Sequence, residues 1–227
     1  MKNLFRYLFE KLLYFQVQNK KVNIEHPELI MPNVLTVNSK IRGMVHIGEY
    51  SKIIDATLNG NIYIGRHTTF NGPNSDIWAL VNSVRIGNYC SIARNVSIQE
   101  YDHYFNRISS YFIHANLLGG TMQDDIISKG DVFIGNDVWI GTQCVILSGA
   151  SISDGAVIGA NSVVNSFIPP YAIAIGSPAK VVKFRFSDEI IRKLLNLKWW
   201  DWNDEKIRSN RLLFDSPLTE EKLDQII

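Results

Sequence analysis

From residue 134 onward the chain divides into sixes: IGNDVW, IGTQCV, ILSGAS, ISDGAV, IGANSV, VNSFIP. The first slot reads Ile134, Ile140, Ile146, Ile152, Ile158 and Val164, and the fifth is compact: Val138, Cys144, Ala150, Ala156, Ser162. Upstream, IGNYCS and IARNVS repeat the form at Ile86 and Ile92, with looser copies starting at Ile47 and Ile64. A period of six is neither the 3.6 of a helix nor the two of a long alternating strand. A short strand and a sharp corner every six residues carry the chain along one side of a triangle. Three such sides make one coil of a parallel β-helix, and stacked coils bury a continuous core. The first-slot residue is predicted to point inward and stack on its equivalent one coil away. The fifth slot also faces in, near a corner where little volume fits. Slot six faces out. Gly and Asn near the corners supply positive φ.

The repeats run from about 34 to 182, and "PPYAIAIGSPAKVV" closes them, because Pro169 and Pro170 disrupt regular pairing. Residues 183–227 differ in character. Ser187 is a candidate N-cap, with Asp188 and Glu189 in the first turn of a helix. A second helix is predicted from Asn203 and a third from Thr219, placed to cap the open end of the solenoid. Residues 1–33 form a lead-in. There Leu4, Phe5, Leu8, Phe9, Leu12 and Leu13 fall at helical spacing, interrupted by Arg6, Glu10 and Lys11. That is an amphipathic helix for packing on its own protein or a sister subunit, with weak peripheral membrane association as the alternative. It holds no uninterrupted signal-peptide core and no run of membrane-spanning length.

With 46% apolar residues the chain can bury a real core. Its 23 basic and 22 acidic residues nearly cancel, which removes any general attraction to nucleic acid. Two cysteines without a CxxC spacing, Cys90 and Cys144, sit in fifth slots as small core residues and fit a reducing cytoplasm.

The rhythm breaks at residues 99–133, where "QEYDHYFNRISSYF" opens a loop rich in Tyr, Asp, His, Arg and Phe. Catalytic groups concentrate on loops held by rigid scaffolds. Of five histidines, His26, His46 and His67 lie before or beside the early hexads and read as surface or corner residues; His103 and His114 lie in the loop.

The six consecutive hexads resemble those of the hexapeptide-repeat acyltransferases, whose coils wind left-handed. The loop resembles that of their chloramphenicol/streptogramin, or xenobiotic, branch. That branch and its sugar-modifying relatives carry a His shortly before an Arg, a Ser/Thr pair and an aromatic or Pro. His103, Arg107, Ser109, Ser110 and Phe112 stand at these places here, while Tyr104 and Phe105 replace the usual small or Pro-containing residues. The likeness continues through "GDVFIGNDVWIGTQCVIL", the SPAK segment and "KWWDWNDEKIRSN", over roughly residues 80 to 210.

The resemblance implies a mainly β, left-handed parallel β-helix that transfers acetyl directly from acetyl-CoA. His103 is the expected base, with Asp102 or Glu100 orienting it and a backbone N–H near Gly141 facing the thioester oxyanion. It implies a homotrimer with CoA between subunits, walled by Trp139 and bordered by Gly141, Ala160, Ser177, Pro178, Lys180 and Lys183. Tyr101, Tyr104, Phe105, Arg107 and Tyr111 are the candidate acceptor contacts, and no metal is expected. The leading acceptor is a sugar hydroxyl in a surface polysaccharide or its precursor. The rival acceptors are a nucleotide-linked amino sugar and an antibiotic hydroxyl. A non-catalytic scaffold explains the repeats but not the His103 loop, and a metal enzyme on this fold lacks the three histidines in adjacent coils.

Overall fold

The computed structural model describes residues 22–224 and 226. The amphipathic segment expected over residues 4–13 lies outside the described residues.

Each late hexad contributes a strand of two residues, slots six and one: Trp139–Ile140, Val145–Ile146, Ser151–Ile152, Val157–Ile158 and Val163–Val164. These strands do not pair with their sequence neighbours. Each pairs in parallel with the strand one coil away, residue for residue. Ile92, Ile140, Ile158 and Ala174 form one inward column, and Ile98, Ile146 and Val164 another. Ile134, Ile140, Ile146, Ile152, Ile158 and Val164 are all fully buried, as are Cys144, Ala150 and Ala156. The period thus becomes a core because every coil repeats the same inward residue at the same height.

The corners separate two roles that the sequence reading combined. Positive φ falls in the fourth slot, at Asp137, Gln143, Gly149, Gly155 and Asn161. The second-slot glycines serve close stacking instead: a Cβ at Gly141 would lie 2.6 Å from the Ala160 nitrogen in the next coil. The third slot adds a side-chain ladder. Arg66 N–H donates to Asn88 Oδ1 (2.9 Å), Asn88 N–H to Asn136 Oδ1 (2.8 Å), and Asn136 N–H to Asp154 Oδ1 (2.7 Å). In the earlier coils, Lys52–Ile64 and Thr69–Ile86 run as long strands straight through their corners, which is why the sixes blur there.

An antiparallel strand, Lys180–Phe184, folds back on Ala172–Ile175 and covers the last edge. The three expected helices are present: Asp188–Leu197, with Ser187 accepting from Ile190 N–H, Asp204–Ser209 behind Asn203, and Glu220–Leu223 behind Thr219. They lie along one corner of the solenoid rather than across its open end. Leu194, Trp200 and Leu223 pack with Tyr171, and the Arg66 guanidinium donates to the Trp200 and Trp202 carbonyls. The physical reason is an aromatic ladder at that corner, Tyr50–His67–Tyr89 with ring centroids 5.0 and 4.7 Å apart, which Trp199 covers. Among the described residues no helix is long and apolar enough to cross a membrane.

Ile146→Ala should lose about 2–5 kcal/mol, because a cavity opened between Ile98 and Val164 cannot collapse in a registered stack. Urea unfolding of the purified protein measures it.

Candidate active site

The loop leaves the solenoid after the strand Ser97–Gln99 and returns at Val132–Ile134. Its neck is fastened by Glu100, which is fully buried. The Glu100 carboxylate accepts from Val81 N–H (2.9 Å) and Asn82 Nδ2 (3.2 Å), and its carbonyl accepts from Ser128 Oγ (3.0 Å). Beyond the neck, Asp102–His103 pairs antiparallel with Ile126–Ile127, His103 opposite Ile126.

His103 is exposed, and its Nδ1 lies 2.7 Å from the Ser110 carbonyl. A carbonyl only accepts, so Nδ1 carries a proton, and in the neutral ring the lone pair is on Nε2. The Phe112 ring packs on the imidazole, with centroids 4.3 Å apart. The orienting partner is therefore the Ser110 carbonyl, not Asp102 or Glu100. Asp102 faces Lys129 Nζ at 4.0 Å, and Glu100 is spent in the neck.

The candidate acceptor contacts divide. Phe105 and Tyr111 project into solvent, as does Ile108, which the sequence reading passed over. Tyr104 lies under the Arg107 guanidinium at 3.5 Å, and Arg107 donates to the Asp124 carbonyl at 2.5 Å, so both are engaged within the loop. Tyr101 is half-buried near the neck, where burial, then Glu100 and Asp76, push its phenol up.

The expected cofactor residues form a row on another face. Trp139 is 57% exposed there. It pairs with Val157, Val157 with Ile173, and Ile173 with Lys183. Three strand spacings put Trp139 and Lys183 ~14 Å apart along this face. Lys180 stands opposite Ile175, with Ser177 and Pro178 in the turn between them. Ala160 stacks on Gly141 at the corner beside Trp139. The Gly141 N–H is not available to an oxyanion, because it donates to the Ile158 carbonyl at 2.8 Å. Its neighbour Thr142 differs. Its hydroxyl donates to the Arg94 carbonyl (2.9 Å), while its backbone N–H has no partner among the described residues. The sequence reading looked near Gly141; the amide left without a partner at this corner lies one residue on, and ladder pairing leaves no trace of that in composition. No hydrogen bond or ring contact joins the His103 loop to the Trp139 row among the described residues.

A cavity of about 380 Å³ lies elsewhere, between Tyr171, Arg185, Trp199, Phe214 and Leu223, under the C-terminal helices. No residue of the loop lines it. Among the described residues no group of three or more His, Cys, Asp or Glu is placed to hold a metal ion.

Comparison with known proteins agrees with the repeat architecture. The family model described as bacterial transferase hexapeptide (six repeats) matches residues 131–173. A probable macrolide acetyltransferase of Lysinibacillus sphaericus is 40% identical over 146 residues, 61% of this chain and 80% of that protein. A chloramphenicol acetyltransferase of Klebsiella aerogenes is 34% identical over 172 residues, 66% of this chain and 80% of that one. The chain belongs to the hexapeptide-repeat acetyltransferases. The fold is also shared with the N-acyltransferase AntD of Bacillus cereus, solved with dTDP and coenzyme A (TM-score 0.54, 19% identity, 74% of this chain and 87% of that one).

For an acetyltransferase, a cysteine nucleophile is one route to consider, and this chain closes it. Burial pushes the Cys90 thiol up to about 12 and raises Cys144 as well. Both sulfurs sit against backbone carbonyls of the core, Gly135 and Gly159. Only a thiolate is reactive. The folded protein should therefore leave both thiols unmodified by iodoacetamide at pH 8, and both should react once the chain is unfolded in guanidinium. Intact-mass spectrometry counts the adducts.

Proposed function

We propose that this acetyltransferase moves acetyl from acetyl-CoA to a hydroxyl of a small antibiotic-like acceptor. The observation that carries the chemistry is the His103–Ser110 contact, which leaves Nε2 as a free base on a solvent-facing loop. The relatives named for macrolides and chloramphenicol favour such an acceptor over the polysaccharide hydroxyl that the sequence put first. Exposed Phe105, Ile108 and Tyr111 offer an apolar wall suited to an amphiphilic molecule of that kind.

In this reading the Nε2 lone pair takes the acceptor's hydroxyl proton as the oxygen attacks the thioester carbonyl. A tetrahedral oxyanion forms and needs a fixed donor; the unpartnered N–H of Thr142 is our assignment. Collapse breaks the C–S bond, and the imidazolium returns its proton to the departing CoA thiolate. Trp139 walls the cofactor, Ala160, Ser177 and Pro178 line its arm, and Lys180 and Lys183 meet its phosphates as point charges. The His103 loop and the Trp139 row stand apart in one chain, so the site is completed between subunits of a homotrimer. Left-handed winding, a catalytic solenoid over 34–182 and a cytoplasmic location belong to the same reading.

The test incubates purified protein with acetyl-CoA and, in turn, chloramphenicol, a macrolide, virginiamycin, a galactoside and maltose, following free CoA thiol. An antibiotic should be acetylated, and His103→Ala should lower kcat about 10²–10⁴-fold. Acetylation of only the sugars sinks the acceptor assignment, and full activity in His103→Ala sinks the base.

A further inference from the structure

The loop contains a second imidazole–carboxylate pair that the proposed chemistry does not use. Asp125 is 3% exposed. Its Oδ1 lies 2.6 Å from His114 Nδ1 and accepts from His114 N–H at 3.2 Å, while Oδ2 accepts from Ala115 N–H at 3.0 Å. Three donors satisfy a carboxylate that burial would otherwise penalise. The chain on either side of Asp125 explains the arrangement.

On one side, His114 and Ala115 open a short helical turn, His114–Leu118. This turn begins two residues after Phe112, the ring that packs on the His103 imidazole, and four after Ser110, the carbonyl that holds its Nδ1. On the other side, the residue following Asp125 is Ile126, which pairs in register with His103 itself. The Asp125 carboxylate thus ties the segment that orients the imidazole to the strand that holds its backbone. It fixes the separation between them. A further tie runs parallel, from Arg107 to the Asp124 carbonyl. Asp124 in turn caps its own turn by accepting from Thr121 N–H at 2.7 Å.

We propose that Asp125 is a positioning residue for His103, clamping the 110–115 segment against the Ile126–Ile127 strand so that Nδ1 stays on the Ser110 carbonyl and the lone pair of the neutral ring stays on Nε2. The proposal rests on His103 as the base. The clamp is on at neutral pH. Burial pushes the Asp125 carboxyl up, but the Ala115 N–H and the His114 ring and N–H outweigh it, and the group titrates below the ordinary carboxylate range. A depressed folded value means the contribution is present above the unfolded pKa of ~3.9 and is lost as pH falls through the folded one.

Asp125→Asn tests it, because an amide places a donor against one of the three N–H groups. Long-range ¹H–¹⁵N spectra of the full-length protein report the His103 tautomer without any acceptor present. The wild type should show one neutral form protonated at Nδ1, and Asp125→Asn a mixture with the Nε2–H form. The kcat should fall about 10- to 100-fold, the scale of a misplaced catalytic group, with the KM for acetyl-CoA within about twofold. If Asp125→Asn does not fold, His114→Ala, which keeps both backbone bonds, is read in the same two ways. A single unchanged tautomer with unchanged kcat in the folded variant overturns the clamp. Activity retained in His103→Ala would instead overturn the base assignment, and the tautomer spectra would still decide whether Asp125 positions the ring.

Discussion

Residue-for-residue stacking of one coil on the next is the constraint from which the rest of this molecule follows. Parallel strands ~4.8 Å apart leave room for one layer of branched side chains per coil. Ile92, Ile140 and Ile158 therefore meet at the same height, and no slot is free to drift. The compact fifth slot, the second-slot glycine under the next coil's backbone and the Asn88–Asn136–Asp154 ladder are local answers to that spacing. A stack so determined fills its own interior with side chains. Chemistry has to come from what the stack carries.

The loop is inserted between two strands that both keep their ladder partners. The strand before it, Ser97–Gln99, remains paired with Val145 and Ile146 one coil on, and the strand after it, Val132–Ile134, with Val84, Arg85 and Ile86 one coil back. Both stumps keep their ladder partners, and loop residues beside them bond to the same coils, Asp131 to Ser83 and Lys129 N–H to Ser148 Oγ. Buried Glu100 closes the neck by taking up the Val81 and Asn82 donors. A loop anchored this way inherits the rigidity of the solenoid at its base and can organise itself beyond it. That organisation is internal: Arg107 on Tyr104, Asp125 on His114 and Ala115, and Ser110 and Phe112 on His103.

The solenoid was legible because its signal is repetition, and repetition survives without knowledge of contacts. The first and fifth slots were assigned inward from composition and period alone, and so were the three helix starts at Ser187, Asn203 and Thr219, where a cap residue precedes acids. The corners were half legible: Gly149, Gly155 and Asn161 supply positive φ as expected, while the second-slot glycines such as Gly141 supply clearance instead. The loop was legible only as an interruption with a histidine in it. Its partners are irregular in sequence distance, seven residues from His103 to Ser110 and eleven from His114 to Asp125, and no periodicity announces them. A carbonyl oxygen as orienting group leaves no residue type to look for. The adjacent Asp102 drew attention through its charge, while its carboxylate faces Lys129.

The two halves of the proposed chemistry sit under different constraints. Trp139, Ala160 and Lys183 belong to strands or corners locked in register, where a change of one residue disturbs the coils above and below. Phe105, Ile108 and Tyr111 project from a loop whose hydrogen bonds to the stack, among the described residues, lie at its neck. A donor site built in the stack is costly to alter, and an acceptor wall built on the loop is cheap to alter. On the proposed reading, this chain keeps acetyl-CoA through its solenoid and selects its acceptor through the loop. On the same reading, the limit on variation is the His103 imidazole, held by Nδ1 on the Ser110 carbonyl whatever the loop is asked to recognise.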